Sequence, residues 1–274
     1  VPVWLYLASE LTLRLHGAMG FGGYPYILHC GGLMNALGPD QVKVHKDKDT
    51  GEYQAIYNGY NDKNHYARIT PCDKDFLRKL ARDTDAEALQ GWFGTHVVQE
   101  YQGLKAFDQD GIFLIDGTYL YVPLDNERYE GSSVLRFDEN GHPVGKKEYE
   151  KMSKKRQEKC EWRRCYRAVT LSHTTRGKEY SLRCGVKVLP GKDNETPHVW
   201  PVAKTFVDAV GQGIMKLLVF DRGLIDGQTV SKLKEKLGVD SLFPLKKDMD
   251  LWKDAKVLAR HDSTPWQTYQ IPEP

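Results

Sequence analysis

The 274-residue chain is 40% apolar and 28% charged, with a formal net charge of +2, the balance of a globular protein large enough for a sizeable core. No apolar run approaches the roughly 20 residues that cross a bilayer, and Val1 to Leu7 lacks the basic flank and small-residue cleavage site of a secretory signal. Five irregularly spaced cysteines argue against a disulfide framework and point to a reduced, cytoplasmic setting. The chain starts without Met and stops at Ile271-Pro272-Glu273-Pro274, so it reads as a fragment.

In chain order, Trp4 to His16 predicts a helix, with Leu7, Leu11 and Leu15 on one face and Glu10 and Arg14 on another. The glycines between Gly17 and Gly23 end it, and a second short helix is expected over Tyr26 to Leu37, stopped by Gly38-Pro39. Two short helices about a glycine-rich turn fit either a helix-turn-helix DNA reader or a helical pair packed on the main domain. Residues 43–68 are polar, with turn signals at Thr50-Gly51, Asn58-Gly59 and Asn61-Asp62, and predict a loop or a small hairpin. Thr70-Pro71-Cys72-Asp73 supplies an N-cap, a proline at the first helical position and an acid closing the box. Phe76, Leu77 and Leu80 give that helix its apolar face. A second start at Asp83-Thr84-Asp85 leads a helix to about Gln102, with Leu89, Trp92, Phe93 and Val97 turned inward. Residues 1–105 therefore read as a mainly helical region.

From residue 106 the pattern changes. Ile112-Phe113-Leu114-Ile115 is too short for a helix, and it runs into Asp116-Gly117-Thr118 within a strand over 112–121. Residues 122–145 predict a long polar connection with a turn at Asp138–Gly141, and 146–161 can be helical but lack an apolar stripe. Cys165–Leu171 and Tyr180–Leu189 form an antiparallel pair across a turn at Thr174–Lys178. A helix over 201–212, a strand at Lys216–Phe220 ending in Asp221-Arg222-Gly223, a helix at Gly227–Leu237 and a strand at Ser241–Leu245 follow. This order predicts an α/β fold, a mixed five-stranded sheet with helices on both faces over 106–260, then an extended stub at 261–274.

Asp116 and Asp221 lie 105 residues apart, yet each ends a strongly apolar run. If their strands are parallel neighbours, both carboxylates reach the same edge of the sheet. Two such hard oxygen ligands suit Mg²⁺ or Mn²⁺, and a pair of ions would activate a water or a 3′-hydroxyl and stabilise the leaving oxygen. Each Asp alone reads more simply as a turn or helix cap. Charge is the second signal. Residues 146–187 hold fourteen Lys and Arg against five Glu, a net +9 that leaves −7 for the rest. Lys154, Lys155, Arg156, Arg163, Arg164 and Arg167 lie at its centre, with Trp162 and Tyr166 placed to stack on an unpaired base. The segment reads as a nucleic-acid footprint, against the alternative of a solvated surface. Cys160, Cys165 and His173 do not match a zinc spacing, the glycines at 17–23 lack a P-loop Lys, and no nucleophile elbow occurs.

At Ile115-Asp116-Gly117-Thr118 and Phe220-Asp221-Arg222-Gly223 the chain resembles the DDE transposases of bacterial insertion sequences, most closely the IS-four type with its RNase H-like core. The resemblance covers about residues 106–250. It implies that Asp116 and Asp221 are the first two members of a metal-binding triad, and that Arg222 and Thr118 support them or touch DNA. It further implies two Mg²⁺ or Mn²⁺ ions in the complete enzyme, double-stranded DNA as partner (element ends and target), a homodimer on that DNA, and a bacterial cytoplasmic protein associated with the nucleoid. The chain departs from the family at the third acid, a Glu followed by Tyr, Arg and Lys. Only 53 residues follow Asp221; Asp248, Asp250 and Asp254 lack that signature, and Glu273 sits in the stub. The expected function is metal-dependent strand cleavage and strand transfer. The alternatives are an RNase H-like nuclease without strand transfer and a non-catalytic DNA-binding remnant.

Overall fold

The computed structural model describes residues 3–15, 17, 42–57, 74–174, 181–245 and 247–261. The helix expected over Tyr26 to Leu37, and with it the helix-turn-helix alternative, lies outside these residues, as do the cap at Thr70–Asp73 and the stub beyond 261. The chain forms two units, Val1–Ala86 and Glu87–Pro274.

The first unit contains helix α1 (Val3–Leu15), strands β1 (Val42–Lys46) and β2 (Tyr53–Tyr57), and helix α2 (Lys74–Asp83). The two strands pair antiparallel from Val42↔Tyr57 to Lys46↔Tyr53. Their turn is built by Asp47, whose carboxylate accepts the N–H groups of Asp49 and Thr50 at 2.8 and 3.0 Å. Gly51 then takes φ +72°, where a side chain would be strained. Leu13 and Leu77 are buried within the unit.

The second unit opens with α3 (Ala86–Trp92), a π-helical turn (Phe93–Val97) and α4 (Val98–Gly103) in one continuous run. The π turn inserts a residue, so later positions fall out of phase with a 3.6-residue stripe. Val98 rather than the expected Val97 is accordingly buried past the turn, along with Gly94 within it; Trp92, also expected inside, is exposed.

The sheet comprises β3 (Ile112–Val122), β4 (Ser133–Phe137), β5 (Glu161–Thr174), β6 (Ser181–Pro190), β7 (Leu217–Phe220) and β8 (Asp240–Leu242). Its spatial order is β6-β5-β3-β7-β8, with β4 taking over from β6 along the same edge of β5. β3 is antiparallel to β5 and parallel to β7, which is parallel to β8. This is the mixed sheet of the RNase H-like class. All five expected strands are present, and the sixth, β4, falls in the stretch read as a polar connection. β4 exists because β5 extends to Glu161 and offers a free edge there; the five pairs run from Ser133↔Cys165 to Phe137↔Glu161.

Two short helices, α5 (Lys146–Lys151) and α6 (Lys154–Gln157), lie between β4 and β5. Helices α7 (Val199–Val210), α8 (Gly227–Leu237) and α9 (Asp250–Ala259) complete the unit. α7 buries Val202, Ala203, Phe206 and Val207 in one core with Phe113, Ile115, Val169, Leu171, Leu218 and Phe220 of the sheet, and Leu233 and Leu237 of α8 join it. Ring centroids of Phe113 and Phe206 lie 4.7 Å apart. Helices were expected over both faces. Along β3, however, only the side carrying Phe113 and Ile115 is buried; Leu114, Asp116, Thr118 and Leu120, which alternate with them, are exposed. The start of β3 is fixed by buried His173, whose Nε2 accepts the Asp108 N–H at 3.2 Å while Nδ1 lies 3.1 Å from the Ile112 carbonyl.

Candidate functional site

The parallel pairing of β3 with β7 runs from Ile112↔Leu217 to Ile115↔Phe220. An aspartate follows each member of the last pair, so the register carries Asp116 and Asp221 side by side at about one strand spacing, roughly 4.8 Å between backbones. Ile115 and Phe220 point into the core, and the pleat alternation directs the two carboxylates to the opposite, exposed side. β3 continues six residues beyond Asp116, so its carboxylate sits on rigid sheet backbone rather than at a strand end. Asp116 Oδ1 accepts the Gly117 N–H at 2.8 Å. Asp221 directly follows β7 and precedes a 3-10 turn, Arg222–Leu224, whose Leu224 N–H donates to the Asp221 carbonyl at 3.0 Å. Its carboxylate makes no capping bond there. Arg222 and Thr118 are both exposed beside the pair. The following helix is started by Asp226, whose carboxylate accepts the Thr229 hydroxyl and N–H at 2.7 and 2.9 Å; these bonds hold it below the usual carboxylate range.

The sequence reading missed a neighbour. Glu195 packs its carboxyl group over Gly117, where a Cβ would lie 2.6 Å from Glu195 Oε2. A Cβ on the glycine after Asp116 would therefore push the Glu195 carboxyl group aside. Glu195 pairs with Arg167 at 3.1 Å, and Arg167 also donates to the Asp193 carbonyl and lies 4.6 Å from the Tyr119 ring centre. The adjacent Thr196 hydroxyl donates to the Gly223 carbonyl, tying this segment to the turn after Asp221. Asp193-Asn194-Glu195-Thr196-Pro197 is the only sequence sign of it, and it reads as an ordinary helix start.

Two exposed carboxylates at adjacent positions are the hard oxygen donors that Mg²⁺ or Mn²⁺ takes, so they fit part of such a site. Among the described residues no group of three or more His, Cys, Asp or Glu side chains is placed to hold a metal. Asp248, Asp250 and Asp254 are exposed, and Asp250 pairs with Lys253 at 2.8 Å. Burial raises the Cys165 thiol and pushes that of Cys184 up to about 12, so neither of these two is a ready soft ligand.

The basic segment divides in two. Arg163 pairs with Glu161 at 3.0 Å, and Arg164 donates to the Leu124 carbonyl and the Ser132 hydroxyl. Arg167 is held by Glu195, Lys159 pairs with Glu139, and Lys187 pairs with Glu87. Tyr166 donates its hydroxyl to the Glu130 carbonyl at 2.6 Å, whereas Trp162 stays exposed. Lys146, Lys147, Lys151, Lys154, Lys155 and Arg156 are all exposed on and beside α5 and α6. The β3–β5 register pairs Asp116 with Thr170, so β5 starts nine residues, or about 30 Å, along the strand from the aspartates.

No helix among the described residues is long and apolar enough to cross a membrane. No match was found among curated proteins or among solved structures. The family model described as the transposase DDE domain matches residues 108–273, more than half of the chain and all of the six-stranded sheet. The chain therefore belongs to the transposase DDE domain family.

Proposed function

We propose that the chain carries the catalytic core of a transposase that cleaves DNA at the ends of a mobile element and joins the freed 3′-hydroxyl to target DNA. The observation that carries this reading is the β3–β7 register, Ile115↔Phe220, which makes Asp116 and Asp221 neighbours. Family membership supports a DNA substrate and divalent-metal dependence. Bound Mg²⁺ or Mn²⁺, two ions in the complete enzyme, would lower the pKa of the attacking water or 3′-hydroxyl and neutralise charge on the leaving oxygen. Asp116 supplies its anionic oxygens from sheet backbone, and Asp221 from the residue directly after β7. Lys154, Lys155 and Arg156 neutralise phosphates along the DNA path, and Arg222 and Arg163 extend it. Arg164 and Arg167, which hold the 124–132 and 193–195 segments, shape that path from beneath. The active species is a homodimer on paired DNA ends, as the resemblance implies.

The test is cleavage of the element's own terminal repeats by the full-length protein with Mg²⁺ or Mn²⁺. Asp116→Asn and Asp221→Asn should each abolish nicking and joining while DNA binding persists. Undiminished cutting by either variant overturns the assignment. Nicked but never joined products would instead identify a nuclease, and binding without cleavage by the intact protein a non-catalytic remnant.

A further inference from the structure

We propose that the cleft between β4, β5 and α5 takes an unpaired nucleotide of the bound DNA. This site rests on the DNA reading above but is separate from the aspartate pair. The cleft has a volume of about 540 Å³, and its walls include Val134, Arg136, Val144, Lys146, Tyr149 and Trp162. Arg136 and Trp162 are direct partners across the β4–β5 ladder. The Arg136 guanidinium carbon lies 4.4 Å from the Trp162 ring centre and 3.5 Å from that of Tyr149. Two aromatic faces thus fix the plane of the guanidinium, and among the described residues it meets no carboxylate. Its N–H donors stay available for a phosphate. Trp162 is 54% exposed, unusual for an indole with one face already stacked, and leaves a flat apolar surface at the cleft.

The chemistry selects the occupant. A phosphate alone needs cations but neither a cavity nor an aromatic face. A base within a duplex is stacked on both sides and cannot lie on Trp162. An unpaired base can, on the indole face opposite Arg136, which holds the ring in place, with Lys146 toward its phosphate. Arg136 and Lys146 line the cleft with one acid, Glu150, and Lys147, Lys151, Lys154, Lys155 and Arg156 are exposed on and beside the neighbouring helices α5 and α6. Trp162 lies eight residues along β5 from Thr170, the partner of Asp116, or about 27 Å along the strand. The nucleotide held there is therefore not the one cut; it lies most of a helical turn away, and the cleft acts as a second grip on distorted or frayed DNA.

The experiment compares binding of the whole chain to a short blunt duplex and to the same duplex with one unpaired 2-aminopurine, by anisotropy and by 2-aminopurine emission. The unpaired probe should bind about tenfold more tightly, with its emission quenched by stacking. Trp162→Ala and Arg136→Gln should each remove that preference yet leave blunt-duplex binding in place, and Trp162→Phe should keep it. Equal wild-type affinity for both probes, or a preference that survives in Trp162→Ala, overturns the cleft assignment and leaves the DNA reading standing. Displacement of the probe by an acidic peptide but not by a mononucleotide also overturns it. Failure to bind either duplex overturns both.

Discussion

Gly111 links the sequence to the site through one clamp, and its replacement can be worked out from the structure. It sits at φ +63° just before β3, and its carbonyl accepts the N–H groups of Lys216 and Leu217 at 2.9 and 3.1 Å, at the start of β7. It therefore sets where the two aspartate-bearing strands begin to pair. In Gly111→Ala the new Cβ would lie 2.5 Å from the Ile214 carbonyl oxygen and 3.0 Å from Lys216 Cγ. The left-handed backbone costs about 1–2 kcal/mol for a residue with a Cβ, and relieving an overlap with main chain adds about 1–3 kcal/mol. Gly131→Ala is the control, because Gly131 has φ +72° but nothing within 4 Å of its Cβ, so only the first contribution applies. Urea unfolding followed by circular dichroism should give a lower midpoint for Gly111→Ala than for Gly131→Ala at an unchanged slope. A loss no greater than that of Gly131→Ala would refute the clamp.

Arg167→Ala removes the ion pair with Glu195, the bond to the Asp193 carbonyl and the packing on Tyr119, at a side chain only 17% exposed. It should lower unfolding stability by about 1–3 kcal/mol, and a change too small to measure by urea titration would show the pair to be incidental. Asp226 is held below the usual carboxylate range chiefly by the Thr229 hydroxyl, and Asp138 by the His142 N–H. The folded state therefore binds protons less readily than the unfolded chain at these sites. Their stabilisation is complete above the ordinary carboxylate range and is lost as pH falls through the folded values. Thermal midpoints should fall on acidification below about pH 4, less steeply in Asp226→Asn; identical pH profiles for variant and wild type would contradict the cap's contribution.

The sheet was legible where strands are short apolar runs bounded by turns, as at Ile112–Ile115 and Leu217–Phe220. Helix α8 was legible because Gly238 takes a left-handed cap at φ +71°. β4 was hidden because Ser133-Val134-Leu135-Arg136-Phe137 has no clean alternation, and only the length of β5 makes it a strand. Val98 took the buried place expected of Val97 because a π turn carries no residue signature and shifts the phase of the residues after it. The aspartate pair was readable as two similar motifs, but its adjacency depended on a strand order that brings β3 beside β7. The +9 segment was readable as charge alone. Which cations are tied down, Arg167 by Glu195 or Lys187 by Glu87, depends on partners 28 and 100 residues away in sequence.

The central claim is that β3 and β7 present Asp116 and Asp221 as one metal-binding unit. Mn²⁺ titration of the whole chain, followed by electron paramagnetic resonance in wild type, Asp116→Asn, Asp221→Asn and the double variant, tests it directly. Shared ligation predicts that either single substitution weakens binding about as much as both together, because the two carboxylates serve the same ion. Wild-type affinity in either single variant, or strictly additive losses in the double variant, would contradict it.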